Sequence, residues 1–173
     1  MRTIVKYILW FVGLVAAQTF VFDNLVLPGG FTIAFYTLFI FVLPFNTPNN
    51  LLMIVAFALG LTIDAFSDTY GLNASAALTL AAIRPRLFRW FEPAVGYNET
   101  QTPSLSQMGL NWCIKVYSIG ILVFYSWYYV LGFMRISGLW FIGSKILYSS
   151  ISTVALILLA QVLFRRKAKQ NEL

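Results

Sequence analysis

The sequence predicts an all-α polytopic membrane protein with six transmembrane helices. Three observations predict it. Hydrophobic residues make up 60% of the 173-residue chain and charged residues only 10%, too few to cover the surface of a soluble domain of this size. Several apolar runs approach the roughly 20 residues that a membrane helix needs, and they are continuous rather than alternating as β-barrel strands would be. The positive charges gather at the flanks of those runs, so the net charge of +6 reads as membrane topology and not as a nucleic-acid surface. No room is left for a separate soluble domain of ordinary size, and residues 1–173 are expected to form one integral membrane unit in the lipid bilayer.

The first expected span is about 4–22, flanked by Arg2 and Lys6. It is long for the apolar region of a signal peptide, and Val15-Ala16-Ala17 is a weak cleavage site, so it is read as retained. Pro28-Gly29-Gly30 breaks the chain. A short second span, about 31–45, ends at Pro44 and the Asn46-Thr47-Pro48-Asn49 turn, and a third covers about 51–66. The fourth, about 72–83, carries Asn73, Ser75 and Thr79. Alone it would rise only ~18 Å against a ~30 Å hydrocarbon core, so it must extend into its flanks or be shielded by neighbouring helices. Residues 84–110 read as a cytoplasmic loop. Its start, Arg84-Pro85-Arg86-Leu87-Phe88-Arg89-Trp90-Phe91, interleaves arginine with apolar side chains and suits the headgroup layer. Asn98-Glu99-Thr100 fits the glycosylation pattern but carries no weight on a cytoplasmic loop. Spans at about 112–131 and 139–164 follow, then a basic tail, 165–173.

Both termini are basic, which places both in the cytoplasm and requires an even number of crossings. With six crossings, Arg2, Lys6, Arg84, Arg86, Arg89, Arg165, Arg166, Lys167 and Lys169 fall inside, and Arg135 falls in an outer loop. Asp23, Asp64 and Asp68 lie at the outer side, where Tyr125, Trp127, Tyr128, Tyr129 and Trp140 are expected to form an aromatic belt. Gln161 reads as interfacial, near the inner end of the last span. No internal repeat of the kind found in inverted-repeat transporters is visible.

The most informative stretch runs from Gly60 to Ala74. It sets Asp64 and Asp68 at the end of an apolar run, in a chain with only six acidic residues. A carboxylate beside hydrocarbon costs ~2.5–3.5 kcal/mol at a helix centre, so such residues face protein or water. Ala56, Gly60 and Asp64 share one helix face. With Ala74, Ala77 and Ala81 on the next span they predict a tight helical hairpin that turns at Gly71. Asp64 and Asp68 read either as helix-end caps or as polar contacts inside the bundle. For Asp64 the candidate partner is Lys145, which shares a face with Ser149 and Ser152; the alternative is that Lys145 snorkels to the interface. Gln18 is expected to hydrogen-bond a neighbouring helix.

The same composition excludes much chemistry. There is no histidine, hence neither the commonest general base nor the commonest metal ligand. The single cysteine, Cys113, precludes an internal disulfide or a multi-cysteine metal site and reads as a small buried apolar residue. No nucleophile pattern or phosphate loop accompanies the aspartates. An intramembrane aspartyl protease would need two such sites on separate helices, and the chain offers one cluster. The expectation is a protein with no catalytic residues, no metal and no cofactor.

Several short motifs recur in one order: Gln18, Pro28, Leu43-Pro44-Phe45-Asn46-Thr47-Pro48, Gly60-Leu61-Thr62-Ile63-Asp64-Ala65-Phe66-Ser67-Asp68, Gly71, Ala74, Arg84-Pro85 and Gly96-Tyr97. Together they resemble the rod shape-determining MreD family, in the form found in Bacteroidetes-type bacteria, over nearly the whole chain. The resemblance implies a bacterial inner-membrane scaffold without enzymatic activity. It implies a partner, MreC, with one span and a periplasmic domain, and a link between MreB filaments, the glycosyltransferase RodA and its transpeptidase partner. It further implies a fold like that of the six-helix substrate-binding subunits of energy-coupling-factor vitamin transporters. By the same carry-over Gly60, Asp64 and Gly71 belong to the most characteristic segment. Gln18, Gly60, Asp64, Asp68, Gly71 and Lys145 are the candidate assembly or partner-binding residues. The competing expectation is a substrate-binding membrane subunit of a small-molecule transporter, with Asp64, Asp68 and Lys145 lining an outward pocket.

Overall fold

A computed structural model describes residues 2–25, 30–93, 96–97, 102–132 and 139–170, with backbone alone for 2–4, 139 and 164–170. The Pro28-Gly29 break, the Asn98-Glu99-Thr100 tripeptide, Arg135 and the side chains of the basic tail lie outside the described residues. Every regular element among the described residues is helical. These are α1 (Arg2–Ala17) with a π-helical turn (Gln18–Phe22), α2 (Thr37–Val42), α3 (Asn49–Ser67), α4 (Leu72–Trp90), α5 (Leu105–Met108), α6 (Leu110–Gly132) and α7 (Leu139–Gln170). Among the described residues four segments are long and apolar enough to cross a membrane: Val5–Phe22, Asn49–Ser67, Leu110–Gly132 and Trp140–Leu163.

Two expected spans are redrawn. The second is helical only over Thr37–Val42, and residues 30–36 before it are non-helical. Gly30 turns the chain at φ +65°, and side chains of other helices capture the backbone N–H groups of Thr32, Ala34 and Phe35 that helix formation would need. At its other end Leu43 is extended, ψ 142°, because proline at position 44 disfavours the helical conformation in the residue before it. The helix expected as the fourth span continues into its C-terminal flank and is not one of those four segments. Helix α4 runs 19 residues to Trp90, a rise of ~28 Å. Pro85 removes one helical hydrogen bond, yet the buried face continues unbroken through Ala77, Leu80, Ala81, Arg84, Leu87 and Phe88, at the helical spacing. The stretch expected to lie in the headgroup layer is thus the last two turns of α4. Arg86, Arg89 and Trp90 face outward and Arg84 faces in.

Helix α3 packs against α4, α4 against α6, and α6 against α7. The core between them is built from Leu38, Ile40 and Phe41 of α2, Leu52, Ala56, Leu59 and Ile63 of α3, Ala76, Ala77 and Leu80 of α4, and Val116, Tyr117, Ile121 and Phe124 of α6. Two glycines set the separations. A Cβ on Gly60 would fall 2.5 Å from the Ala74 Cα, so the α3 and α4 backbones touch. A Cβ on Gly120 would fall 2.6 Å from the Phe41 ring, which fills the space that glycine leaves. Cys113 is buried, as expected. Large apolar side chains stand exposed on α1 (Ile8, Leu9, Val12), α3 (Ile54, Phe57, Leu61) and α7 (Leu147, Ile151, Leu159), the outward pattern of helices that hydrocarbon can solvate.

Candidate functional site: two polar clusters at opposite ends of the bundle

The first cluster surrounds the α3–α4 turn. Asp68 (φ 51°), Tyr70 (φ 46°) and Gly71 (φ 88°) are all left-handed, which reverses the chain within a few residues. Glycine adopts this conformation without penalty, tyrosine does not, and Tyr70 stands fully exposed at the tip. Gly71 is the N-cap of α4 and offers no side chain to the free N–H groups behind it. Asp64 supplies the cap from α3. Its Oδ1 accepts from the Asn73 backbone N–H (3.0 Å), the Asn73 side-chain amide (3.1 Å) and the Thr69 hydroxyl, and its Oδ2 accepts from the Ala74 N–H at 2.8 Å. The carboxylate is 5% exposed, and the positive end of the α4 dipole lies on it. The Asn73 side chain passes the network on, accepting from the Tyr36 hydroxyl at 2.8 Å.

This arrangement answers the question about Asp64 and Lys145. Asp64 is satisfied within the hairpin, while the Lys145 ammonium lies 4.6 Å from the Phe141 ring centroid and 3.3 Å from where a Gly30 Cβ would be. The structure does not bring the two side chains together, because four donors of α4 and its turn saturate the carboxylate first. Asp68 is exposed and is the C-cap residue of α3, the helix-end role.

Gln18 begins the π-helical turn and is 3% exposed. Its partner is the extended segment rather than a helix. Its amide donates to the Ile33 carbonyl (2.8 Å) and to Asp23 (2.7 Å), and its carbonyl accepts from the Phe35 N–H (2.9 Å). Two further helices complete the harness. The Tyr125 hydroxyl accepts from the Ala34 N–H (2.7 Å) and donates to the Thr32 carbonyl (2.9 Å). Ser149 and Tyr129 receive the Thr32 N–H, and Thr153 stands behind Tyr125 at 2.7 Å. Buried backbone polar groups outside regular structure need partners, and here side chains do what a partner strand would do. Tyr125 and Tyr129 therefore face inward and leave the expected belt, in which Trp127 and Trp140 remain exposed. The overlooked signal was the stripe of Lys145, Ser149, Thr153, Ile157 and Gln161, spaced four apart along one face of α7.

Between the π-turn, the extended segment, the α3–α4 turn and α6 lies a cavity of about 180 Å³. Asp23, Leu25 and Thr32 form its exposed rim, and Tyr36, Asn73 and Tyr125 its buried floor. Asp64, Asp68 and Lys145 do not line it; Asp23, Thr69 and Asn73 do.

The second cluster lies at the other end and was not anticipated. Arg84 is 2% exposed. Its Nη2 donates to the carbonyls of Phe41 (3.4 Å), Leu43 and Pro44 (3.4 Å), which close the C-terminus of α2, the end where a helix dipole favours a cation. Its guanidinium carbon sits 4.5 Å from the Phe88 centroid. Beside it Phe45, Phe88, Tyr97 and Trp112 pack together, with Phe45 and Tyr97 stacked at 4.2 Å. The Trp112 indole N–H donates to the Phe91 carbonyl and the Tyr97 hydroxyl, which itself donates to the Phe88 carbonyl. Burial lifts the Tyr97 phenol above its ordinary range and keeps it a donor. Gln161, expected at the interface, is buried where it accepts from the Leu105 N–H and donates to the Tyr117 hydroxyl. Arg84 continues the face of Ala77 and Ala81 on α4, and that spacing was the signal for its inward turn.

These features define an all-helical protein with four helices fit to cross a membrane and a polar cluster at each end of the bundle. No family model, curated protein or solved structure matches the chain.

Proposed function

We propose that this chain is a non-enzymatic scaffold of the bacterial cell-elongation complex, of the MreD type, which binds MreC and helps to connect MreB with RodA and its transpeptidase partner. One observation supports the reading above others. The motifs that carry the family resemblance are scattered along the sequence, and they pack into the two clusters. Gln18, Gly60, Asp64, Gly71 and Ala74 meet around the extended segment and the hairpin. Leu43-Pro44-Phe45, Arg84 and Tyr97 meet at the opposite end. Residues spent on fixing helices against one another suit a protein whose product is a rigid surface for other membrane helices, where packing rather than exclusion of water drives association.

In this reading the chain crosses the inner membrane six times with both termini in the cytoplasm. Residues 31–34 at ~3.3 Å each, then the turn at 35–36 and the six residues of α2 at ~1.5 Å each, cover ~25 Å, so the second crossing draws on the chain at either end of them as well, and α4 makes the fourth. A fold akin to the energy-coupling-factor subunits is part of the same proposal. The cavity favours a second reading, a substrate-binding subunit of a small-molecule transporter. A detergent pull-down of tagged protein from its native membrane, read by mass spectrometry, separates them. Recovery of MreC, RodA or the transpeptidase supports the scaffold. Recovery of a transporter ATPase without elongation proteins overturns it in favour of the second reading.

A further inference from the structure

The cavity beside the extended segment has a chemical character that neither reading requires. Among the described residues its one charged wall residue is Asp23, and no lysine or arginine lines it. Among the described residues the partners of Asp23 are neutral: the Gln18 amide on Oδ1 at 2.7 Å and the Ser67 hydroxyl on Oδ2 at 2.6 Å. A carboxylate has about four lone-pair sites, so two remain, on a full negative charge. Both neighbours fix its orientation. Phe22, Phe31, Phe124 and Tyr128 also line the cavity. Aromatic faces and a carboxylate about one space are the surroundings that attract an ammonium ion. The volume of about 180 Å³ exceeds the ~150 Å³ that admits benzene in an engineered apolar cavity. The unwound backbone of residues 31–34 forms one wall. Broken secondary structure at membrane depth marks binding sites in transporters because it exposes backbone groups to a ligand.

We propose that this cavity binds a small organic cation, an ammonium group on a body of about the size of choline. The carboxylate of Asp23 neutralises it and the rings of Phe31 and Tyr128 enclose it. The same chemistry is offered by a free amine and by the headgroup of phosphatidylethanolamine. The titration and the partner pull-down fail independently of each other.

The test uses the full-length protein in nanodiscs of phosphatidylglycerol. Choline chloride is titrated calorimetrically against its neutral isostere, 3,3-dimethylbutan-1-ol, at constant ionic strength. Choline is expected to bind at least about tenfold more tightly than the isostere, and Asp23→Asn to lose about tenfold in choline affinity. Phe31→Leu, at the rim, should weaken choline more than the isostere. Equal affinity for the two probes, or no heat from choline up to about 50 mM, overturns the proposal. The isostere comparison on the unaltered protein stands even where a variant fails to fold. Repeating the titration in discs with phosphatidylethanolamine identifies the source: a weakened apparent affinity for choline assigns the site to the lipid headgroup, and an unchanged one assigns it to a free amine.

Discussion

Asp64 should couple to the start of α4 and not to Lys145. Replacing it with alanine strips the acceptor from two backbone N–H groups, the Asn73 amide and the Thr69 hydroxyl. A lost helix cap costs ~0.5–2 kcal/mol, the favourable dipole contact up to about 2 kcal/mol more in a partly buried site, and each buried donor left unpaired ~1–3 kcal/mol. These overlap, because the same hydrogen bonds are counted more than once, and a total of about 3 kcal/mol is expected for Asp64→Ala. Asp64→Asn keeps one oxygen but turns an amide donor toward one of the N–H groups, so about half that loss is expected. The assay is reversible unfolding of the purified protein in mixed micelles, with double-mutant cycles. Asp64→Asn combined with Asn73→Ala should show a coupling above about 1 kcal/mol, whereas Asp64→Asn combined with Lys145→Met should be additive within about 0.5 kcal/mol. Additivity with Asn73 and strong coupling with Lys145 would refute the capping argument and restore the ion pair.

Four other substitutions probe the remaining contacts. Gly60→Ala drives a methyl into the Ala74 backbone, which cannot yield without parting α3 from α4; about 2–3 kcal/mol should be lost, and Gly120→Ala, which meets the edge of the Phe41 ring, should lose less. Thermal unfolding of the two variants side by side checks the order, and the reverse order would sink the account. Arg84→Met removes the donor shared by three carbonyls, so about 1.5–3 kcal/mol should go; wild-type stability would mean that the carbonyl contacts contribute nothing. Tyr125→Phe leaves the Thr32 carbonyl without its donor and the Ala34 N–H with only the longer bond to Thr153, costing about 1–2 kcal/mol. Amide exchange at Ala34 should quicken while exchange in α3 does not, and uniform quickening would point to global destabilisation instead.

Hydropathy made the four long apolar helices legible, because their side chains meet hydrocarbon over most of their length and so form continuous runs. The α3–α4 hairpin was legible too: small residues every fourth position and a glycine at the turn admit few other arrangements. The extended segment was not. Whether residues 31–35 unwind depends on hydroxyls some 91–119 positions away in sequence, and no local propensity encodes that. Arg84 was misread for a related reason. Charge-based topology treats every arginine as a flank residue, whereas the carbonyl-rich end of a short helix can draw one inward. Tyrosine poses the same ambiguity, since its ring suits a core or an interface equally and only the hydroxyl's partner decides. For Asp64 the sequence left a helix-end cap and a pair with Lys145 both open, because spacing alone does not reveal that Gly71 leaves the start of α4 for Asp64 to cap.

The harness on residues 32–35 imposes an order on biogenesis. The ribosome delivers the N-terminal third of the chain first, yet the groups that satisfy the Thr32 and Ala34 amides arrive only with α6 and α7. Until then those amides need water or a chaperone, and the segment cannot take its final form. A helix made late thus completes the folding of one made early, and a chain cut short before Ser149 would hold its early segment with donors exposed. Membrane quality control would have a ready mark by which to tell a finished molecule from an unfinished one.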